Sequence, residues 1–187
     1  MNTKEYLKEL SIVILGILIA FGINNIWMKH KEHSTQKQVL MVIQNELNDN
    51  EQETKTALEN LSLLLRTFEK IQKLADSSGS HDVSIRYTGS NLKSIGYETA
   101  KYTGILKDID HKLMSEIVEC YEIQKETKDM ETSIKDEIFI FFKNTSKKNI
   151  DYLILKISNL IENIKNLDAI QNQLSGELSK HLDKIGK

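Results

Sequence analysis

The sequence predicts an all-α protein, with an N-terminal transmembrane helix followed by a bundle of three long helices and one short helix packed in coiled-coil fashion. Three observations predict it. The 187 residues contain no proline, the residue whose main structural cost falls on helix interiors. No charge interrupts residues 10–28, between Glu9 and Lys29. Beyond that run, apolar residues recur at spacings of three and four through three long stretches.

The uncharged run makes about 28 Å of helix at ~1.5 Å per residue, close to the ~30 Å hydrocarbon thickness of a bilayer. It is apolar on every face rather than along one stripe, which separates it from a core helix of a soluble domain. Leu10, Ile14, Gly16, Leu18 and Gly22 belong to its body. Trp27 stands where an interfacial aromatic belongs, and Lys29 follows it, able to snorkel toward headgroups. Residues 1–9 form a short tail. A cleaved signal peptide, cut after Gly22, is the competing reading. The uncharged run continues past that cut to the Trp27–Lys29 border, which favours an uncleaved anchor. Lysines tie across the two flanks, with Lys4 and Lys8 on one side and Lys29, Lys31 and Lys37 on the other. The short tail favours an orientation with the C-terminal part outside the cytoplasm.

Residues 29–187 are read as the bundle domain. A first helix is expected over about 34–75, with the seam Leu40, Ile43, Leu47, Asn50, Thr54, Ala57, Leu61, Leu64, Phe68 and Ile71. Nothing breaks it from the anchor, so anchor and stalk are expected to form one rod. Residues 76–90 hold Gly79, Gly89 and several serines and read as a loop; Val83–Tyr87 alternates as a short extended piece would. A short helix over 91–103 is closed by Gly104. A third helix, 109–143, is capped by Asp108 or Asp110 and carries the seam Leu113, Ile117, Cys120, Gln124, Thr127, Glu131, Ile134, Ile138 and Phe141. The last helix, 149–185, runs from Ile150 through Leu153, Ile157, Leu160, Ile164, Leu167, Gln171 and Leu174 to Leu178. The polar middles of the seams read as a wetter layer that sets register. Net negative charge over 107–137 and net positive charge over 138–187 favour pairing of the last two helices. Whether the short helix doubles back or runs in line with the third is open at this point.

Composition excludes several functions. A net charge of −2 gives no default attraction to nucleic acid. The single cysteine, Cys120, precludes an internal disulfide or a cysteine-cluster zinc site. It sits on an apolar seam among acidic neighbours that raise its pKa, which reads as packing. His30 and His33 are too few for a stable metal site. Glu177 and His181 are an i, i+4 pair on a solvated face. Glu116, Glu119, Glu122 and Glu126 share a side but lack the histidines of a di-iron bundle. No phosphate loop, nucleophile elbow or zinc-protease motif occurs. The expectation is therefore a protein that is not an enzyme, with no catalytic, cofactor-binding or metal site.

Two stretches resemble an uncharacterised family of small single-pass bacterial membrane proteins. Gly16–Asn25 (GILIAFGINN), followed by Trp27, is similar to that family's anchor, a run like GILIALQINNWNE ahead of a charged helical stalk. The match departs at Ile26 and at Met28–Lys29. Tyr97–Leu106 (YETAKYTGIL) is similar to its Y/W-E-x-x-K-x-S/T-G-x-L element. The resemblance implies a bacterial cytoplasmic-membrane protein and no activity.

Two places stand out as candidate partner surfaces. Tyr97, Lys101 and Gly104 lie roughly on one side of the short helix, where Gly96, Ala100 and Gly104 also offer a close-approach stripe. Internal packing is the competing account. Ile138–Phe142 is too apolar for all five side chains to face one core, so Phe139 and Phe142 are either a buried helix end or an exposed patch for a protein partner, a second copy or the bilayer. The expected function is a membrane-anchored interaction or scaffold module whose partners are the lipid bilayer and an unknown protein, with homo-oligomerisation through the heptads a further option. The alternatives are a membrane-acting effector that oligomerises through its span, and a ligand-sensing domain that signals through a partner.

Overall fold

The computed structural model describes residues 3–75, 85–143 and 146–185, with side chains placed for 11–74, 85–142 and 146–185. Four α-helices follow in order: α1 (Thr3–Ala75), α2 (Ile95–Thr103), α3 (His111–Lys143) and α4 (Lys147–Ile185). A 3-10 turn at Ile105–Asp108 links α2 to α3. No strand occurs among the described residues.

Helix α1 is one unbroken 73-residue helix, about 110 Å long. Its apolar N-terminal part touches nothing else, and every described side chain from Ser11 to Thr35 is exposed. One helix is therefore long and apolar enough to cross a membrane, and it lies near the N-terminus. The bundle begins at Gln36. The end of the bundle nearest this apolar stretch is the base, and the opposite end is the tip.

Cross-helix contacts define the topology. Helix α4 runs antiparallel to α1, since Gln44 meets Ser175, Thr54 meets Asp168 and Gln72 meets Asp151. Helix α3 runs parallel to α1, since Glu46 meets Tyr121, Asn50 meets Gln124 and Phe68 meets Phe141. Between them, residues 85–94 descend as a non-helical strap and α2 continues the descent. Lys93 lies against Asn50, Gly96 against Glu46, and Asp108 against Gln36. The chain thus goes up, down, up, down. The second descent is mostly strap rather than helix, which decides the open question: the short helix doubles back along α1.

Local chemistry explains the ends. Gly104 closes α2 at φ 74°, the one positive φ among the described residues, a conformation that strains any residue with a Cβ. Asp110, not Asp108, caps α3, accepting from the Lys112 N–H at 3.0 Å. Ser146 accepts from the Asn149 N–H at 3.3 Å, so α4 starts at Lys147, two residues before the expected 149. Helix α2 starts at Ile95 rather than 91, because the backbone of Asn91 and Lys93 is engaged by side chains of α1. The expected extended piece at Val83–Tyr87 falls partly outside the described residues. Its described part alternates as expected, with Ile85 and Tyr87 half-buried and Arg86 exposed.

Two apolar cores result. The tip core gathers Leu61, Leu64, Phe68, Ile134, Phe141, Leu153 and Ile157, among others. The base core gathers Leu40, Ile43, Leu47, Leu92, Tyr97, Ile117 and Leu174, again among others. Between them lies a buried polar level with Asn50, Thr54, Gln124, Thr127, Glu131 and Gln171. The heptad seam of α1 is consumed inside the chain, from Leu40 to Phe68. That seam therefore faces the other helices of the same chain.

Candidate functional site

Asn50, Gln124 and Glu131 of the polar level hold the strap. A stretch without helix or sheet leaves its backbone N–H and C=O groups without regular partners, and burying them unpaired is costly. Side chains of α1 and α3 supply the partners. Asn50 accepts from the Lys93 N–H at 2.7 Å and donates to the Lys93 carbonyl at 2.8 Å. Gln124 donates to that same carbonyl at 2.7 Å. Glu131 accepts from the Ser90 N–H at 3.0 Å and from its hydroxyl at 2.9 Å. Lys128 donates to the Leu92 carbonyl at 2.6 Å, and Glu53 accepts from the Asn91 N–H at 3.2 Å.

Glu46 completes the cradle one turn lower. Its carboxylate accepts from the Gly96 N–H at 2.8 Å and from the Tyr121 hydroxyl at 2.5 Å. Tyr121 stacks flat on Tyr97, with ring centroids 4.5 Å apart and planes 6° apart. Burial, the hydrogen bond to Glu46 and its negative charge all push the Tyr121 phenol up. Glu46, Ser90 and Lys128 were not legible as functional positions from spacing. The available signal was the coincidence of carboxylates and amides along two seams with a neighbouring stretch lacking helical periodicity.

The first candidate surface is therefore corrected. Tyr97 is buried and spends its ring on Tyr121, so it packs the bundle rather than facing a partner. Gly96 and Ala100 lie against α1; a Cβ on Gly96 would come within 3.1 Å of Val42. Gly104 is the left-handed cap of α2 and has open space around it, so it does not extend that stripe. Lys101 remains exposed, its Nζ 5.9 Å from the Tyr97 ring centroid.

The second candidate surface divides. Ile138 and Phe141 are buried in the tip core, and Phe141 meets Phe68 edge-on at 5.3 Å. Phe139 and Phe142 are 62% and 57% exposed, with Ile140 beside them at 52%. Tyr152 and Leu155, just after the turn into α4, are exposed as well. Lys156 lies 4.8 Å over the Tyr152 ring and pairs with Glu137 at 3.2 Å. That pair places Tyr152 on the flank of α3 one turn from Ile140. The tip thus exposes apolar side chains on two flanks of α3, with Phe139 and Phe142 one turn apart on one of them.

The anchor residues Ile14, Gly16, Leu18, Gly22, Trp27 and Lys29 all lie along the exposed part of α1. Leu10 is on the same helix, but its side chain lies outside the described ones. Lys31 stands 5.5 Å over the Trp27 ring. Among the described residues, no group of three or more His, Cys, Asp or Glu is placed to hold a metal ion. Glu177 pairs with Lys180 at 3.0 Å rather than with His181. Cys120 is fully buried, and burial, with Glu119 adding to it, pushes its thiol up to about 12. Such a thiol is a packing group, not a nucleophile.

Comparison with known proteins finds no matching family model, no matching curated protein and no matching solved structure.

Proposed function

We propose that the protein is a membrane-anchored docking module: α1 holds it in a lipid bilayer, and the tip of its bundle binds a partner protein. The single observation that supports this is the continuity of α1. From Trp27 to Phe68, level with Phe141 and its exposed neighbours Phe139 and Phe142, the helix is unbroken, a rise of about 60 Å. Side chains at that height are out of reach of the bilayer that holds the chain. Exposed aromatic residues one turn apart are of the composition that protein interfaces favour at their centres.

The resemblance to single-pass bacterial membrane proteins extends the reading to a bacterial cytoplasmic membrane, and the short charged tail favours the bundle outside the cytoplasm. Replacing both Phe139 and Phe142 by Ser tests the docking role. Melting temperature and helicity are expected to hold, while protein crosslinks formed in native membranes at the tip disappear. A large loss of stability would assign these rings to the core instead. Recovery of the full chain in the aqueous fraction after carbonate washing would overturn the anchor.

A further inference from the structure

We infer that the base of the bundle is a docking surface for anionic phospholipid headgroups, on the bilayer that α1 enters. The inference rests on the anchor reading above and adds a second, separately testable contact with the membrane.

Height comes first. Gln36, where the bundle begins, donates to the Asp108 carbonyl at 3.0 Å and so fixes the 3-10 turn beside it. Gln36 lies eight residues beyond Met28, about 12 Å along an unbroken helix. The headgroup layer itself is roughly 5–7 Å thick on each side. The underside of the bundle therefore stands just over the phosphates. Only α1 enters the membrane, so the 3-10 turn and the end of α4 overhang the lipid beside it.

The chemistry of that underside fits phosphate. Lys37, Lys107 and Lys184 come from three separate elements, and none makes an ion pair among the described residues. Glu32 and Asp108 line the same face and Asp183 precedes Lys184 in the chain, so net charge alone does not attract lipid. Reach breaks the balance: an extended lysine side chain spans about 6 Å, well beyond an aspartate. Two open hollows sit on this face. One, of about 390 Å³, is lined by Lys31, His33, Thr35 and Thr103, with Glu32 and Asp108 in the same wall. The other, of about 630 Å³, is lined by His30, His33, Ser34, Lys37 and Lys184. Each combines lysine, histidine and hydroxyl donors. Tyr102, next to Thr103, is 87% exposed on the side of this end of the bundle.

The full-length chain, reconstituted into vesicles, tests this. A fluorophore on Thr103→Cys reports distance to a headgroup-attached quencher, and the buried Cys120 does not compete for labelling. Quenching is expected to be stronger in vesicles containing phosphatidylglycerol than in phosphatidylcholine alone, and to weaken at high salt. Lys37→Gln, Lys107→Gln and Lys184→Gln should each lower the docked-to-undocked ratio by about fivefold at low salt, with melting unchanged. Equal quenching in both lipids, or quenching indifferent to the three substitutions, overturns the inference while flotation with the vesicles upholds the anchor. Failure to float in either lipid overturns both.

Discussion

Toward the tip, three long helices meet through Leu61, Phe68, Ile134 and Ile157 in an apolar core, with Ile85 and Tyr87 at the start of the strap packed on its edge. Toward the base, the same helices must also take in a descending strap, and the core mixes Leu47 and Ile117 with Glu46, Asn50 and Gln124. The tip is held by area removed from water, which is indifferent to direction. The strap is held by side chains that must meet particular backbone atoms. The two regions should therefore fail in different ways: the tip by a loss spread across the whole fold, the strap by local release.

The largest effect is expected from Leu61→Ala, which empties a fully buried site in the tip core and should cost about 3 kcal/mol. Urea unfolding should move to a lower midpoint, with hydrogen exchange faster throughout. Asn50→Ala should cost about 2 kcal/mol, because it strands the N–H of Lys93. Its exchange signature should be confined to residues 85–100. Uniform acceleration in that variant would erase the distinction between the two regions.

Cys120 sharpens the contrast through pH. Its thiol is raised from the ordinary 9.0 to about 12 in the folded chain, so the native state keeps a proton that the unfolded chain gives up. The stability this contributes is complete below about pH 9 and is lost as pH rises toward 12. About 1.4 kcal/mol should be gone by pH 10. Cys120→Ala should flatten that part of a denaturation-against-pH profile, and an unchanged slope would show that the tyrosines carry it. The smallest effect is expected from Gly104→Ala, about 1 kcal/mol from the left-handed cap alone. It should act on α2 and leave the tip core untouched.

The long helices were legible because their seams repeat. Leu40, Ile43 and Leu47 in α1, and Ile150, Leu153 and Ile157 in α4, are buried as their spacing requires. The unbroken rod was legible from the lack of a break between anchor and stalk. The candidate site was less so. Asn50, Gln124 and Glu131 stood out as polar seam positions, yet their partner is a backbone with no periodicity of its own, so spacing suggested a register device instead. Glu46 escaped because it sits at the edge of the seam, next to Leu47, and its role depends on Tyr121, 75 residues away. The division of Ile138–Phe142 into buried and exposed members follows from helical geometry. The seam already named its inward members, Ile138 and Phe141, and both are buried.

Because one helix runs from the apolar stretch to the tip of the bundle, a bilayer holding that stretch would make the molecule a lever pivoted at the lipid surface. A tilt of about 10° at that pivot carries the far aromatic residues sideways by about 10 Å over a 60 Å arm. Whatever seats on them would feel changes in bilayer thickness or lateral crowding as displacement, with no rearrangement inside the bundle required.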